Sequence, residues 1–438
     1  MKSLYFNFAI KSLISRAKQY RSLFAVCAVG VCVMLSVLMI TDGMIDSMTE
    51  KMRQYYGGDF MVLGDDSGSD YSLDSLASYQ KMIDALKEVL PTSAQISYRY
   101  KKSSGDKSLF FEGVSVKQRS IQGVVFSDEK ELFKKFNFIE GGIEDRPSHD
   151  GILLSQPAAE KLGVHIGDNI VLLIETIYGN QNTVNLVVTG IFQDSSVFGM
   201  YTSYVDYLAL MEGLGFSGID KMSYPIDEIC VYYSNGVPNK KELQRVHNEL
   251  EKRFDMFPLS YDKSAWQDYA IPEGKRIYAL IPLNANVSDL QKLSTALRAI
   301  VALIVVMLVV IISVGISSTF RVIVLKRAVE SGTFRALGLK PSGLMALYFT
   351  EILLLLISGS LVGFVASIII VNVVSIYNLS FVSGFDLFLT GGHLAPVLYA
   401  AEAGFLLAII FVTTLGAVLF TLRKLVHISP VGALATVA

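Results

Sequence analysis

The chain is strongly apolar for a protein of its length. Of its 438 residues, 52% are hydrophobic and only 18% are charged, and its mean hydropathy is +0.45. These values exclude an ordinary water-soluble globular protein and favour a membrane protein. The formal net charge of −2 gives no support for nucleic-acid binding. Only three cysteines occur, and two of them lie inside an apolar run, which excludes a framework of disulfide bonds.

Four apolar segments have the length needed to cross a membrane. The first contains twenty consecutive residues without a charge, which form about 30 Å of helix and match the hydrocarbon thickness of a bilayer. It is too long for the apolar core of a cleavable signal peptide, so we expect an uncleaved anchor. The predicted spans are residues 22–41, 295–320, 344–377 and 396–422.

The positions of Lys and Arg predict which side of the membrane each connection faces. Cationic residues are concentrated in the N-terminal segment 1–21, the loop 321–343 and the tail 423–438, whereas the short loop 378–395 has none. Because cationic flanks are retained in the cytoplasm, both termini are expected inside and residues 42–294 outside. The outer segment contains 25 Lys and Arg against 36 Asp and Glu, a net charge of −11.

Residues 42–294 are numerous enough to bury a core of their own and are expected to form a domain. Its two ends carry the pattern of a split βαβ layer: a strand, a helix capped by Ser72 or Asp74, two strands, and later a strand and a helix. These predicted elements are residues 59–63, 72–89, 92–100, 109–114, 228–233 and 238–253. Alternating apolar stretches predict an inserted β-rich subdomain over 115–225. The expected fold class is an α-helical membrane protein with four transmembrane helices and a large extracytoplasmic α+β domain.

Both connections between this domain and the membrane are expected to be helical. Met44, Met48 and Met52 form an apolar stripe after the first span, and Leu290 and Leu297 belong to another stripe before the second span. The stripes either pack on a core like ordinary amphipathic helices or continue the spans outward as paired stalks. In the second case, movement in the membrane would be passed to the external domain.

The sequence contains no pattern of an enzyme site. No G-x-x-x-x-G-K-[ST] loop occurs, so the chain has no nucleotide-phosphate cradle of the usual kind. Its five histidines are scattered, and neither a Cys/His pair with metal-ligand spacing nor a nucleophile elbow occurs. We therefore expect no enzyme activity, no metal and no cofactor of the chain's own.

Two acidic residues and one G-x-x-x-G pattern lie inside the predicted spans. Glu351 and Glu402 each lie near the beginning of a span, where a charge in lipid is costly. An interfacial acid, or one paired with a polar group of the bundle, is the simpler interpretation, and a role in proton or ion passage is the alternative. Gly359 and Gly363 form a G-x-x-x-G pattern that lets helix backbones approach closely, either within one chain or between two chains.

The loop between the second and third spans has the sequence Lys326-Arg-Ala-Val-Glu-Ser-Gly-Thr-Phe-Arg-Ala-Leu-Gly-Leu-Lys340. With the apolar segment that follows it, this loop resembles the signature of the FtsX-like permeases of MacB-type (type VII) ABC transporters. Residues 151–168 and 185–191 are similar to the periplasmic core domain of that family, and residues 428–433 are similar to its closing segment. One span, a large external domain and three further spans is also the family arrangement.

The resemblance implies a dimer of permeases, identical or related, that works with a separate cytoplasmic ATPase, which binds the ATP. It also implies that energy is sent outward through stalk helices instead of a substrate passing through a pore. A fused nucleotide-binding domain is expected to be absent, which makes the chain similar to the lipoprotein-releasing permeases LolC and LolE. The expected location is the bacterial cytoplasmic (inner) membrane, with the large domain in the periplasm or outside the cell.

The loop 321–343 is the expected docking element for the ATPase. A basic amphipathic helix that lies on anionic membrane lipid is the alternative. Polar residues from Glu330 to Thr333 interrupt the apolar face of this segment, however, and leave Phe334 and Leu337 as discrete anchors. The predicted docking residues are Lys326, Arg327, Glu330, Thr333, Phe334, Arg335 and Leu337.

Three functions from different classes fit these observations. The leading interpretation is a transport subunit that performs mechanical work outside the cytoplasm, such as lipoprotein release or export of a hydrophobic or peptide substrate. Its partners would be the ATPase, a second permease chain and a lipoprotein, outer-membrane or periplasmic protein, with no nucleic acid. A receptor or regulator that senses a ligand or controls a cell-wall hydrolase is the alternative, and a membrane-bound enzyme is the least favoured.

Overall fold

The protein consists of two compact units. A computed structural model describes residues 2–66, 75–143, 149–194, 196, 199–234, 236–262, 264–272, 274–286, 288–382 and 384–426. The first unit, here called the helical unit, comprises Met1–Ile45, Ser294–Asn378 and Leu394–Ala438. The second, here called the sheet unit, comprises Asp46–Leu293 and Leu379–His393. Ser72, Asp74 and the family-like segment 428–433 lie outside the described residues.

The α-helices of the described residues range from 4 to 39 residues in length. Two short 3₁₀ helices, Lys221–Ser223 and Phe385–Phe388, accompany them. The α-helices are α1 Lys2–Ser15, α2 Ala17–Tyr55, α3 Leu76–Val89, α4 Lys130–Phe133, α5 Gln156–Leu162, α6 Tyr207–Gly213, α7 Lys240–Glu251, α8 Ser264–Gln267, α9 Leu283–Asn286, α10 Ser288–Lys326, α11 Ala328–Ala336, α12 Pro341–Ile376 and α13 Ala400–Val426.

Four of these helices, α2, α10, α12 and α13, are long and apolar enough to cross a membrane. The four-span prediction is therefore confirmed, although the last span begins at Ala400 and not at residue 396. Pro396 lies in the irregular backbone that precedes this helix. The next residue, Val397, instead donates its N–H to the Met39 carbonyl at 3.1 Å.

The core of the helical unit is formed by the apolar faces of the four long helices. Leu23, Val31, Ile316, Ile352 and Ile410 are all at most 1% exposed and belong to one contiguous cluster. Other apolar residues of the same helices remain exposed, as expected for surfaces that face lipid tails.

The sheet unit is built on one mixed sheet, which has 12 strands within the described residues. The strand order is β12-β1-β11-β2-β5-β10-β7-β9-β8-β3-β4, with β6 paired to β9. The strands are β1 Phe60–Asp66, β2 Ala94–Lys102, β3 Lys107–Phe111, β4 Val114–Lys117, β5 Ser120–Val124, β6 Phe138–Gly141, β7 Gly151–Ser155, β8 Asn169–Glu175, β9 Gln181–Phe192, β10 Thr202–Asp206, β11 Glu228–Tyr233 and β12 Arg276–Pro282.

The first four strands of this order form two interleaved split βαβ units. Strand β11 lies between β1 and β2 and is antiparallel to both, so β1 and β2 are parallel and are connected through α3. In the same way β1 lies between β11 and β12, which are connected through α7. The predicted split βαβ layer is therefore confirmed, with β12 as a strand that the sequence patterns did not reveal.

The strand predicted over 109–114 is confirmed only for residues 109–111, because β3 ends at Phe111. Glu112 and Gly113 have φ of 44° and 83° and form the two-residue turn of a hairpin between β3 and β4. Two consecutive positive φ values are typical of the type I′ turn, in which asparagine or aspartate usually precedes the glycine. The strand that continues the split βαβ layer is β5, which pairs with β2, and the predicted insertion extends the same sheet.

The two predicted helices of this layer are present, with shifted starts. The first begins at Leu76. The second, α7, begins after Asn239, whose side chain accepts a hydrogen bond from the Glu242 N–H at 2.9 Å. Its predicted apolar face of Leu243, Val246 and Leu250 is buried against the sheet unit's core.

A buried arginine holds the last turn of α2 on the sheet. Arg99 of β2 is 0% exposed and donates hydrogen bonds to the carbonyl oxygens of Tyr55 at 3.0 Å and Gln54 at 3.2 Å. Its Nε donates to the Glu129 carboxylate at 2.9 Å. Burial disfavours the guanidinium charge, but the Glu129 charge and hydrogen bonds outweigh it and raise the pKa of Arg99. Carbonyl groups at a helix C-terminus have no partner within the helix and favour a cation, so this contact completes α2.

Replacing Arg99 with Met is expected to destabilise the sheet unit by about 3–5 kcal/mol, because Glu129 becomes an unpaired buried charge. Trp266 is the single tryptophan and lies in this unit, so its fluorescence during thermal unfolding of the full chain measures the effect.

Arg253→Met is the matched control for this experiment. It removes another arginine–glutamate pair, whose side chains are 50% and 63% exposed, and is expected to cost less than about 1 kcal/mol. Equal losses in the two variants would contradict a special role for Arg99.

Candidate functional site

The loop between α10 and α12 forms a short helix with a sharply defined end. The α11 helix ends at Ala336, and Gly338 follows with a φ of 94°. The Leu339 N–H donates to the Phe334 carbonyl at 3.0 Å and the Gly338 N–H donates to the Arg335 carbonyl at 3.1 Å, which is a Schellman motif. Pro341 then begins α12 as its first residue. The sequence Leu-Gly-Leu-Lys-Pro thus fixes where α11 ends and α12 starts.

The residue before α11 belongs to a buried polar cluster that joins three segments of the helical unit. Arg327, Glu351 of α12 and Tyr20 of α2 are 4%, 0% and 3% exposed. One Arg327 nitrogen donates to both Glu351 oxygens, at 3.1 and 2.8 Å, and to the Tyr20 hydroxyl oxygen at 3.0 Å. The Tyr20 hydroxyl in turn donates to Glu351 at 2.8 Å. We name these three residues the buried cluster.

The buried cluster gives each charged group the partner that its environment requires. An isolated carboxylate or guanidinium in an apolar interior is strongly unfavourable, whereas a paired and hydrogen-bonded one is tolerated. The interpretation of Glu351 as an acid paired with a polar group of the bundle therefore agrees with the structure. Glu402, the other acid, is exposed in the first turn of α13.

A second ion pair attaches α11 to the N-terminal helix region. Arg16, which lies between α1 and α2, makes a bidentate contact to Glu330 at 2.7 and 2.5 Å. The Arg16 hydrogen bond is the main cause that holds the pKa of Glu330 below its usual value. The two side chains are 30% and 41% exposed, so solvent screens this pair more than it screens the buried cluster.

Aromatic and hydroxyl contacts fix the same face of α11. Phe334 packs edge-to-face on Phe8 of α1, with ring centroids 5.7 Å apart. Ser331 and Tyr348 of α12 lie within hydrogen-bonding distance at 2.6 Å. A groove of about 510 Å³ between α1 and α11 is lined by Phe8, Arg16 and Phe334, among others.

The opposite face of α11 is exposed and mainly apolar. Val329 is 39% exposed and Leu337 is 81% exposed, and Thr333 and Ala336 lie between them on the exposed surface. The spacing i, i+4, i+7 and i+8 places these four residues on one side of a helix. We name them the outer face of α11.

The seven predicted docking residues differ in their positions and in their exposure. Thr333 and Leu337 lie on the outer face, and Lys326 is exposed at the end of α10. Phe334 and Arg335 are half-buried. Glu330 and Arg327 are engaged in the ion pairs described above, and the burial of Arg327 places it in the interior of the unit. Leu337 is therefore a more accessible anchor than Phe334.

The two glycines of the G-x-x-x-G pattern pack against α2 within the same chain. A Cβ atom on Gly363 would lie 2.5 Å from the Ala28 carbonyl oxygen, and one on Gly359 would lie 2.9 Å from Cys27 Sγ. These contacts show close approach of the α2 and α12 backbones, which glycine permits.

The predicted stalk residues fall in both units. Met48 and Met52 are at most 2% exposed and form a cluster of the sheet unit with Leu283, which Leu290 flanks. Met44 and Leu297, which are half-buried, belong to the helical unit. The apolar stripe on the outer part of α2 is thus a packing surface.

The loop between α12 and α13 contributes to this part of the sheet unit, which the sequence patterns did not indicate. Lys51 donates to the Asp386 carbonyl at 2.5 Å, and the hydroxyls of Ser47 and Thr390 are 2.9 Å apart. Leu387 also packs beside Met48 and Met52. Residues 379–393 therefore belong to the sheet unit and hold the outer turns of α2.

Comparison with protein-family models agrees with the two units. Residues 25–240 match a MacB-like periplasmic core domain, and residues 302–430 match the C-terminal domain of FtsX-like permeases. Together the two matches support an ABC transporter permease of the MacB and FtsX type. Permease subunits of this family lack an ATPase site of their own, and the family implies a cytoplasmic ABC ATPase as partner. A search of curated proteins found no match.

Replacing Arg327 with Met is expected to destabilise the helical unit of this permease by about 3–5 kcal/mol, because the Glu351 carboxylate stays buried without its partner. The double variant Arg327→Met with Glu351→Leu is expected to recover most of this loss. Buried Cys27 and Cys32 become reactive when the helical unit unfolds, so a thiol-reactive dye in a Cys230→Ser background measures the transition.

Arg16→Met is the control for the buried cluster, since it breaks a half-exposed ion pair and is expected to cost less than about 1 kcal/mol. A double variant as unstable as Arg327→Met alone would contradict the cluster as an interacting pair.

Replacing Gly363 with Ala is expected to destabilise the helical unit by about 1–3 kcal/mol, because the added methyl group collides with the α2 backbone. Gly404→Ala is the matched control, as no atom lies within 4 Å of the added Cβ there. Alanine is the better helix former, so Gly404→Ala should be neutral or slightly stabilising. The thiol-reactivity assay distinguishes these outcomes, and equal behaviour of both variants would refute the close approach.

Proposed function

We propose that this permease passes the work of a separate cytoplasmic ATPase to the sheet unit, and that the ATPase docks on the outer face of α11. One observation supports the proposal above all others: one side of α11 is bonded to α1, α2 and α12, while the other side presents exposed apolar residues. A docking helix needs both an accessible anchor and a firm attachment to the elements that it moves.

The anchor in this proposal is Leu337. It is 81% exposed, whereas Phe334 already packs on Phe8 within the chain. Burial of a large exposed side chain in a partner's pocket contributes most of the binding energy of a small interface. Lys326 is exposed at the end of α10 and would influence the orientation and rate of association through its charge.

Helix α2 is the proposed route by which movement reaches the sheet unit. At one end Tyr20 belongs to the buried cluster with Arg327 and Glu351. At the other end the carbonyl groups of Gln54 and Tyr55 are held by Arg99. In this proposal a shift of α11 would act on the sheet unit through α2, which contributes residues to both units.

The proposed setting is a bacterial cytoplasmic membrane with the sheet unit outside the cytoplasm, as the Lys and Arg distribution favours. A second permease chain, identical or related, would complete the complex. In support, the most hydrophobic windows of α10 and α13 are only 28% buried, against 44% and 39% for α2 and α12, which leaves faces for a second chain or lipid. A receptor or cell-wall regulator remains the alternative, and no geometric feature favours it.

Replacing Leu337 with Ala is expected to weaken binding of the ATPase roughly thirtyfold, since loss of a central anchor commonly costs about 2 kcal/mol. The measurement is recovery of the ATPase in pull-downs with the full-length permease. Ile14→Ala is the matched control, because Ile14 is also aliphatic and 72% exposed but lies on α1. Normal recovery with the Leu337 variant would refute docking at the outer face.

A charge swap tests whether Glu330 positions α11 or contacts the ATPase itself. Glu330→Arg should weaken ATPase recovery, because it places a second cation beside Arg16. Combining it with Arg16→Glu restores a carboxylate beside position 330 and should restore part of the recovery, since the Arg327 Nε also contacts Glu330, at 3.2 Å. If the combined variant folds normally and recovers no more ATPase than Glu330→Arg alone, Glu330 belongs to the ATPase interface.

The proposed substrates are lipoproteins, or hydrophobic and peptide molecules that are exported. If a lipoprotein is the substrate, vesicles that contain the permease and its ATPase should release a fluorescent lipidated protein only when ATP is added. The Leu337→Ala variant should abolish this release without changing membrane insertion. Release that is independent of ATP, or no release of any lipidated protein, would contradict this substrate class.

A further inference from the structure

A separate groove of about 380 Å³ lies in the helical unit, between the start of α2 and α12. Its walls are mainly apolar, with Phe24 of α2 and Leu355 of α12 on opposite helices. Tyr20 also contributes to the wall, so the groove adjoins the buried cluster. Leu13 of α1, and Ala17 and Ser358 at the surface, complete the lining.

Two exposed cations lie at this groove. Lys18 and Arg21 are three residues apart on α2, which places them on neighbouring positions of one helix face. Within the part of the chain that the structure describes, neither has an acidic partner. Arg16 and Arg327 provide a contrast, because each is engaged by a carboxylate of its own unit. The groove therefore combines an apolar floor with two uncompensated positive charges.

We propose that this groove is a binding site for an anionic phospholipid of the membrane leaflet at the start of α2. The phosphate of the headgroup would lie between Lys18 and Arg21, and an acyl chain would lie along Leu13 and Phe24. Both helices that form the groove are candidate membrane spans, so the site opens where lipid is present at high concentration. Basic pockets between spans at the cytoplasmic side are suited to acidic headgroups.

The apolar walls decide between a lipid and a soluble anion. A free phosphate needs only the two cations and would leave the half-buried side chains of Leu13 and Phe24 uncovered. A phospholipid satisfies both parts of the site, since its acyl chain covers the apolar wall while its phosphate meets the cations. The placement of the start of α2 on the cytoplasmic side rests on the proposed topology. The apolar and cationic character of the groove does not depend on that topology.

The site would also couple lipid composition to the docking element. Tyr20 lines the groove and hydrogen-bonds Glu351, and Leu355 is one helical turn beyond Glu351 on α12. A bound acyl chain would therefore pack on the same helix turns that carry the buried cluster. We expect occupancy of the site to restrain these turns and so to stabilise the attachment of α11.

The test measures lipid bound to the purified full chain in detergent by native mass spectrometry, as phosphatidylglycerol or phosphatidylcholine is titrated. The wild type should retain phosphatidylglycerol preferentially. Lys18→Gln with Arg21→Gln should weaken this binding roughly thirtyfold, because each basic residue near an anionic surface contributes about 1 kcal/mol. Arg321→Gln with Lys340→Gln is the matched control, since both residues are exposed cations outside the groove.

Two further experiments distinguish a bound phospholipid from a bound soluble phosphate. Ser358→Trp, or Ala17→Phe if the first variant is unstable, fills the groove while keeping both cations and should also abolish retention. Glycerol 3-phosphate, which has the anion without acyl chains, should not displace the lipid. The proposal is overturned if the control pair weakens binding as much as the site pair, if the filled groove still retains lipid, or if glycerol 3-phosphate competes. None of these outcomes bears on ATPase docking, which the pull-down tests independently.

Discussion

A buried guanidinium and a buried carboxylate must be paired, and this requirement organises the helical unit. Arg327 and Glu351 are both almost completely removed from solvent and share the hydroxyl group of Tyr20. Only an arrangement that brings α2, α12 and the start of α11 together satisfies all three groups. Such a pair contributes little net stability compared with apolar residues, but it strongly disfavours arrangements in which the partners are separated. The position of α11 therefore follows from the cost of an unpaired charge.

The sheet unit uses the same chemistry for a similar purpose. Arg99 is buried with Glu129 and also reaches the end of α2, whereas Arg327 reaches its beginning through Tyr20. Arginine suits both places because its planar fork presents several donors in fixed directions and remains charged when buried. The ion pairs determine the orientation of α11. The other contacts of α11, including Phe334 on Phe8, add packing that stabilises this orientation.

Sequence patterns were informative wherever one segment decides its own structure. Hydropathy and length identified the four spans, and the apolar spacing of α7 identified its buried face. The turn at Glu112 and Gly113 is not predicted from the sequence, because glutamate rarely adopts a left-handed backbone conformation and is not a typical turn residue. The sequence does not show that residues 379–393 belong to the sheet unit while the helices on either side belong to the helical unit. This assignment depends on contacts with residues that are distant in the chain, such as Lys51.

The site was only partly accessible from sequence for the same reason. Glu351 stood out as an acid in a span, and Arg327 stood out within a family-like loop, but nothing in either pattern shows that they meet. A usable signal was present: an acid that requires a cation inside the membrane, and an arginine at the edge of a nearby span. Exposure cannot be read from the loop sequence either, so Phe334 and Leu337 looked equivalent although one is half-buried and the other projects outward.

The contact between Arg99 and the end of α2 has a consequence for how this protein can vary. The guanidinium binds the main-chain oxygens of residues 54 and 55, which every amino acid possesses. The connection therefore places little demand on the side chain at position 54, while it depends entirely on the arginine. The sequence of the final turn is constrained by other contacts, because the Gln54 side chain donates to the Lys135 carbonyl and the Tyr55 hydroxyl donates to Asp194. A helix grafted at this point would therefore have to reproduce these side chains as well as the position at which the backbone ends.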